Sequence, residues 1–158
     1  MRKEFAQELL KHAKKDKKII LITADLGWGM WNEFMDTLPE QFYNTGASEQ
    51  AAMGMAVGLA LEGYKPFVYS ITTFLLYRPF EWIRNYINGE KIPVRLVGSG
   101  RDKDYHVDGF SHDATDAPTF LHHFRNIEAY YPKEKEDIPQ FVERMVTQDR
   151  PSFISLRR

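Results

Sequence analysis

Along the first part of the chain the spacing of apolar residues changes repeatedly, and each change marks an element. Phe5, Leu9, Leu10 and Ala13 recur at helical intervals and predict an amphipathic helix over Arg2 to Lys15. Ile19-Ile20-Leu21-Ile22-Thr23-Ala24 is then apolar almost without a break, the pattern of a strand covered on both faces. Asp25 to Gly29 reads as a loop, Met30 to Thr37 as a short helix stopped by Pro39, and Gln41 to Asn44 as a second strand. No residue from Ala51 to Leu61 carries a charge, so the helix that starts at Glu49 and ends near Gly63 is expected to be buried on most faces. Pro66 to Ser70 predicts a strand and Thr72 to Leu76 a turn, with Pro79 as the first residue of a helix over Phe80 to Asn88.

Pro93 to Gly98 reads as a strand and Ser99 to Asp113 as a loop rich in Gly, Asp and His, long enough to expect a function of it. Asp116 to His123 predicts a helix, Asn126 to Tyr130 a strand, Lys133 to Thr147 a helix and Ser152 to Leu156 a last strand. This alternation implies the α/β class, a three-layer α/β/α fold with a mostly parallel sheet of about six strands. Ligands of such sheets lie at the carboxyl ends of the strands. That edge collects Asp25–Gly29, Thr45–Glu49, Ile71–Leu76 and Ser99–His112.

Within that set, Glu49 poses a physical problem. An unpaired carboxylate buried at the head of an apolar helix costs several kcal/mol. It therefore needs a partner, or it holds a proton through a pKa raised by desolvation, and could then donate to a ring nitrogen. An acid favoured by the helix macrodipole is the other explanation, and both stay open on this segment alone.

Composition narrows the classes. Hydrophobic residues at 43% and charged ones at 27% fit one soluble globular domain of 158 residues. A net charge of −1 gives no footprint for nucleic acid or an anionic membrane. The N-terminal lysines are interspersed with Glu4, Glu8 and Asp16, as on a solvated helix face. Absent cysteines exclude disulfides and thiolate metal sites; with no signal-like start and no apolar span, a cytoplasmic protein is expected. There is no Walker loop, no Gly-x-Gly-x-x-Gly and no His-Glu-x-x-His. Aromatic residues reach 14%, and Trp28, Trp31, Phe74, Tyr77, Phe80, Tyr105 and Phe110 fall in expected loops or helix starts, which suggests a pocket or an interface.

Four segments in register resemble the pyrimidine-binding domain of transketolase, which recurs in deoxyxylulose-phosphate synthase and in 2-oxoacid dehydrogenase beta subunits. They are Thr23-Ala24-Asp25-Leu26, Asn44-Thr45-Gly46-Ala47-Ser48-Glu49-Gln50, Thr73-Phe74-Leu75-Leu76-Tyr77-Arg78-Pro79-Phe80 and Asp108-Gly109-Phe110-Ser111-His112. The resemblance runs from about Lys18 to Arg158. It implies that Glu49 hydrogen-bonds the aminopyrimidine of thiamine diphosphate and so favours the tautomer that activates the cofactor. It implies that Phe74 and Tyr77 form the apolar face around that ring, with Phe80 behind them, and that Asp25 and Leu26 order the cofactor loop. Asp108 and His112 would act on substrate oxygens, with His106 nearby. The alternatives are core packing for Phe74, Tyr77 and Phe80, a surface-loop histidine for His112 and a strand-end turn cap for Asp25.

The chain also departs from the family. Sugar-phosphate transketolases have a histidine eight positions before the motif Asp; here that position is Gly100. Arg101 beside it, and Arg158, are the candidates for substrate phosphate contact. The Gly-Asp-Gly…Asn motif that holds the cofactor diphosphate through Mg²⁺ is not found in these residues. No metal ligand is therefore expected here, and a second chain bearing that motif would bind Mg²⁺. The expectation is a small pyrimidine-binding subunit of a split transketolase-like enzyme, acting on sugars or sugar phosphates. It would work within an α₂β₂ assembly in which this chain also pairs with its own copy. Two other readings stay open: a subunit like the dehydrogenase beta chain or deoxyxylulose-phosphate synthase, and a non-catalytic regulatory or assembly subunit.

Overall fold

The computed structural model describes residues 1–158. Six strands, β1 (Ile19–Thr23), β2 (Phe42–Asn44), β3 (Lys65–Ile71), β4 (Arg95–Ser99), β5 (Glu128–Tyr130) and β6 (Ser152–Leu156), form one sheet in the order β2-β1-β3-β4-β6-β5. Every neighbouring pair is parallel. The helices are α1 (Arg2–Ala13), α2 (Asn32–Thr37), α3 (Glu49–Leu61), α4 (Thr72–Tyr77), α5 (Phe80–Trp82), α6 (Ala117–His122) and α7 (Ile138–Thr147), and α5 runs on as a π-helix from Ile83 to Gly89. None is long and apolar enough to cross a membrane.

Strand alternation divides the core in two. Ile20, Ile22, Val68, Leu96 and Phe153 pack against α3, α4 and α6 on one face. Ile19, Leu21, Phe67, Tyr69, Val97 and Ile154 meet α1 and α7 on the other. The near-continuous apolar runs are thus explained: the central strands are covered on both sides. Because the chain moves outward from β1 to β2 and then in the opposite direction from β3, the order reverses beside β1 and β3. A crevice opens outside their carboxyl ends, the favoured ligand position in open α/β sheets.

The expected fold class matches the observed three layers, with several boundaries revised. Thr72 to Leu76, expected as a turn, is helix α4. Its first turn is held by tertiary contacts: Thr72 Oγ1 donates to the carbonyls of Ser99 (3.2 Å) and Gly100 (2.6 Å), and Thr73 Oγ1 to that of Ser111 (2.7 Å). Pro79 stands just before the next helix rather than in its first position. Pro39–Gln41 forms a one-turn 3₁₀ segment, so β2 begins at Phe42. The last helix starts at Ile138 because the Asp137 carboxylate accepts from the amides of Lys133 (2.8 Å) and Glu134 (3.0 Å), which winds the preceding residues into a tight turn.

α4 lies close over β4 because residue 98 is glycine. A Cβ there would stand 2.6 Å from Thr72 Oγ1 and 2.9 Å from the Phe153 ring, both buried. Gly98→Ala is therefore expected to lower stability by about 1–3 kcal/mol through overpacking, read as a drop in the denaturant midpoint with the slope unchanged.

Candidate active site

The segment between β2 and α3 is arranged around the Asn44 side chain. Its Oδ1 accepts from the amides of Asp25 and Gly46, both at 3.0 Å, which ties the loop after β1 to the loop after β2. Gly46 adopts φ +68°, a conformation that an L side chain would strain. The chain then enters α3 with Glu49 in its first turn, where the helix dipole favours a negative charge.

Glu49 is 3% exposed and its two oxygens have separate partners. Ser70 Oγ donates to Oε1 at 2.9 Å, and the Arg78 guanidinium donates to Oε2 at 2.9 Å. Ser70 arrives through strand alternation: two residues beyond Val68, it faces the same side of the sheet as α3. Arg78 arrives through helical spacing, four residues after Phe74, and its guanidinium carbon lies 3.7 Å from the centre of the Phe74 ring. Of the two ways to bury Glu49, partner or proton, the fold supplies a partner. Arg78 itself stays half-exposed and lines an open pocket of about 490 Å³ with Ala47, Ser48, Glu49 and Gln50.

His112 joins this group from the loop after β4. Its ring meets that of Phe74 edge to face with centroids 4.8 Å apart, and its Nδ1 is 3.1 Å from Ser111 Oγ. The loop is pinned at its base by the Asp102–Ala114 bridge and by buried Tyr105, whose hydroxyl meets Ser99 Oγ (2.8 Å) and accepts from Arg2 (2.9 Å). Asp108 and His106 are exposed on the same loop, and Gly109 (φ +88°) turns the chain between two 3₁₀ turns.

The other expected residues lie elsewhere. Tyr77 packs on Phe120 (5.0 Å between centroids) and donates to Asp116 at 2.6 Å, while Phe80 packs on Phe120 and Phe124. Both face α6 rather than the Glu49 pocket. Leu26 packs with the core on the α1 side and lines a small cavity with Trp31 and Phe42; Asp25 is exposed with φ +54°. Arg101 does not face the pocket. Its guanidinium donates to Ser155 Oγ (3.1 Å), the Ser155 carbonyl and the Pro132 carbonyl (2.9 Å), and burial lowers its pKa. Those contacts engage three of its five N–H donors. Arg158 lies over the Tyr105 ring at 5.2 Å. Ser70 and the Arg78 pairing went unidentified in the sequence. The signals were a hydroxyl at a strand's carboxyl end, and an arginine one turn after the aromatic residue of a motif.

A doubly covered parallel sheet whose carboxyl edge holds a buried carboxylate beside an aromatic ring defines an α/β domain with its polar groups gathered at one edge. More particularly, the chain belongs to the family described as the transketolase pyrimidine binding domain, which it matches over residues 1–158. It is 32% identical over 156 residues to the 1-deoxy-D-xylulose-5-phosphate synthase of Caldanaerobacter subterraneus subsp. tengcongensis, covering 98% of this chain and 25% of that protein. It is also 32% identical over 142 residues to a putative transketolase C-terminal section of Methanocaldococcus jannaschii, covering 80% of this chain and 45% of that one. Among solved structures, a split-gene transketolase described as an inactive beta4 tetramer superposes with a TM-score of 0.88 at 27% identity, covering 99% of this chain and 51% of that one. The chain thus spans between a quarter and about half of these relatives.

Burial first, and the hydrogen bond to Asp116 second, push the Tyr77 hydroxyl pKa well above its ordinary value. Folding therefore favours the neutral phenol: its contribution is complete below about pH 10 and is lost as pH rises through the higher folded value. Tyr77→Phe is expected to cost about 1 kcal/mol near neutrality. Its stability gap to the parent should narrow in denaturant titrations run above about pH 10.

Proposed function

We propose that this chain is the pyrimidine-binding subunit of a split thiamine diphosphate-dependent enzyme of the transketolase type. It would move a two-carbon ketol unit between sugars or sugar phosphates together with a diphosphate-binding subunit that holds Mg²⁺. The observation that carries this reading is the Glu49–Phe74 pair: a buried acceptor beside an aromatic face, already occupied by a flat, hydrogen-bond-donating cation. A planar nitrogenous ring meets the same two requirements, so the residues fit the cofactor's aminopyrimidine. When bound, the cofactor supplies the electron sink for breaking and forming a carbon–carbon bond next to a carbonyl.

The chain's own groups have distinct tasks. Ser70 fixes one oxygen of Glu49; the other, which Arg78 holds in this structure, is the one that would exchange a hydrogen bond or a proton with a ring nitrogen. Phe74 supplies the stacking face and keeps water from that side. His112, held against Phe74 and oriented through Nδ1 by Ser111, presents Nε2 for a substrate oxygen, with Asp108 at the exposed rim. Asp25 acts on the cofactor loop from a distance, through Asn44. The split assembly is supported by the likeness to a split-gene transketolase and to a C-terminal section, and a paired α₂β₂ complex is the expected form.

A second reading has a specific basis, since the 1-deoxy-D-xylulose-5-phosphate synthases match at 30% identity and above. Donor profiling of the reconstituted complex with xylulose phosphate, hydroxypyruvate and pyruvate separates the two, and turnover of pyruvate alone would favour the synthase type. In either case Glu49→Gln is expected to lower kcat by about 100-fold or more with the fold intact by circular dichroism. Undiminished turnover in that variant would instead support the non-catalytic reading.

A further inference from the structure

Arg78 does more than neutralise Glu49. Its guanidinium is flat, donates to Glu49 Oε2 at 2.9 Å and stacks with its carbon 3.7 Å from the Phe74 ring centre. These are the two contacts that the cofactor's aminopyrimidine would need, an acceptor at its edge and an aromatic face. A guanidinium suits that role because it is planar, delocalised and weakly hydrated, and therefore stacks as well as it pairs. Two flat groups cannot share one carboxylate oxygen and one ring face at these distances.

Two other arginines set the comparison. Arg95 is fully buried, with donors on the carbonyls of Met145 (3.0 Å), Pro93 and Gln148 (2.9 Å). Arg101 is locked by Ser155 and Pro132. Arg78 has no such lock: its side chain is 47% exposed, and its recorded partners are Glu49 and Phe74. It can swing to water without breaking the fold. Glu49 would then keep its Ser70 hydrogen bond and so its orientation, with Oε2 released.

We propose that Arg78 is an internal placeholder for the aminopyrimidine, which cofactor binding must expel. The pair keeps a buried carboxylate compensated until the ring replaces the guanidinium, and it sets a threshold that cofactor affinity has to exceed. This rests on the cofactor assignment given above, and it makes Arg78 a competitor for the site rather than a ligand of the cofactor.

Thiamine is the probe, titrated into the full chain by ligand-observed NMR, which reads millimolar affinities. Arg78→Ala is expected to bind about tenfold more tightly than the parent, the factor that 1.4 kcal/mol of removed competition gives. Added guanidinium ion should weaken thiamine binding to Arg78→Ala and leave the parent nearly unaffected. Glu49→Ala should abolish binding in both backgrounds. Since Arg78→Ala exposes an unpaired buried carboxylate, Arg78→Gln serves as a second variant and should also bind more tightly than the parent. Equal or weaker binding by both Arg78 variants, with Glu49→Ala still inactive in binding, overturns the placeholder and leaves the cofactor site standing. Binding that ignores Glu49→Ala, or none in any variant once the diphosphate-binding subunit is added, overturns the cofactor assignment itself.

Discussion

The carboxylate of Glu49 is the point at which α3, β3 and the end of α4 meet. Nearly buried at the head of an apolar helix, it demands two well-placed donors, and they come from β3 and the end of α4, 21 and 29 residues further along the chain. Ser70 requires the register of β3 to place Val68 and Ser70 on the α3 side; a one-residue slip would turn the hydroxyl to the opposite face. Arg78 requires α4 to start directly at the end of β3 and to lie close over β4, which Gly98 allows. Three elements therefore converge on the two oxygens of one carboxylate.

Division of faces on one short helix explains why some expected pocket residues are elsewhere. α4 and the residue after it direct Phe74 and Arg78 toward Glu49, while Tyr77 points to α6. Tyr77 and Phe80 together with Phe120 and Phe124 form an edge-to-face cluster that clamps α4 and α5 to α6. Those aromatic residues hold the wall of the pocket rather than line it. The loop after β4 has a similar division. Its base is tied by Asp104, which accepts from the amides of Arg101 and Arg158 at 3.0 Å, whereas Phe110 at its tip is 92% exposed.

The strands were legible in the sequence because burial on both faces leaves an uninterrupted apolar run, and the class of fold followed from their alternation with helices. α4 was not legible: Thr72 and Thr73 directly after a strand carry weak helical signals, and what winds them is a set of hydroxyl bonds to residues 99, 100 and 111. Glu49, Phe74 and His112 stood out through motifs that resemble the family's, and they do come together. Arg101 could not be judged locally. Whether an arginine faces a pocket or the protein interior is decided by carbonyls at positions 132 and 155, which no short window contains.

Arginine shows here how one residue type takes opposite roles according to what surrounds its head group. Arg95 has no ion-pair contact; burial pulls its pKa down to about 10 against the opposing pull of Asp149 and Asp16, which leaves it charged near neutrality with three carbonyls facing it. Two of those carbonyls close α7, where the helix dipole is negative, so a buried cation there acts as a permanent strut. Arg78 meets a formal negative charge instead, at a surface opening where water can take over its solvation. Such a pair contributes less to stability than its full charges suggest, because the half-exposed guanidinium is screened. The same screening makes its loss tolerable. A site that must exchange an internal cation for an incoming ring needs that weakness, and the open edge of the sheet provides it.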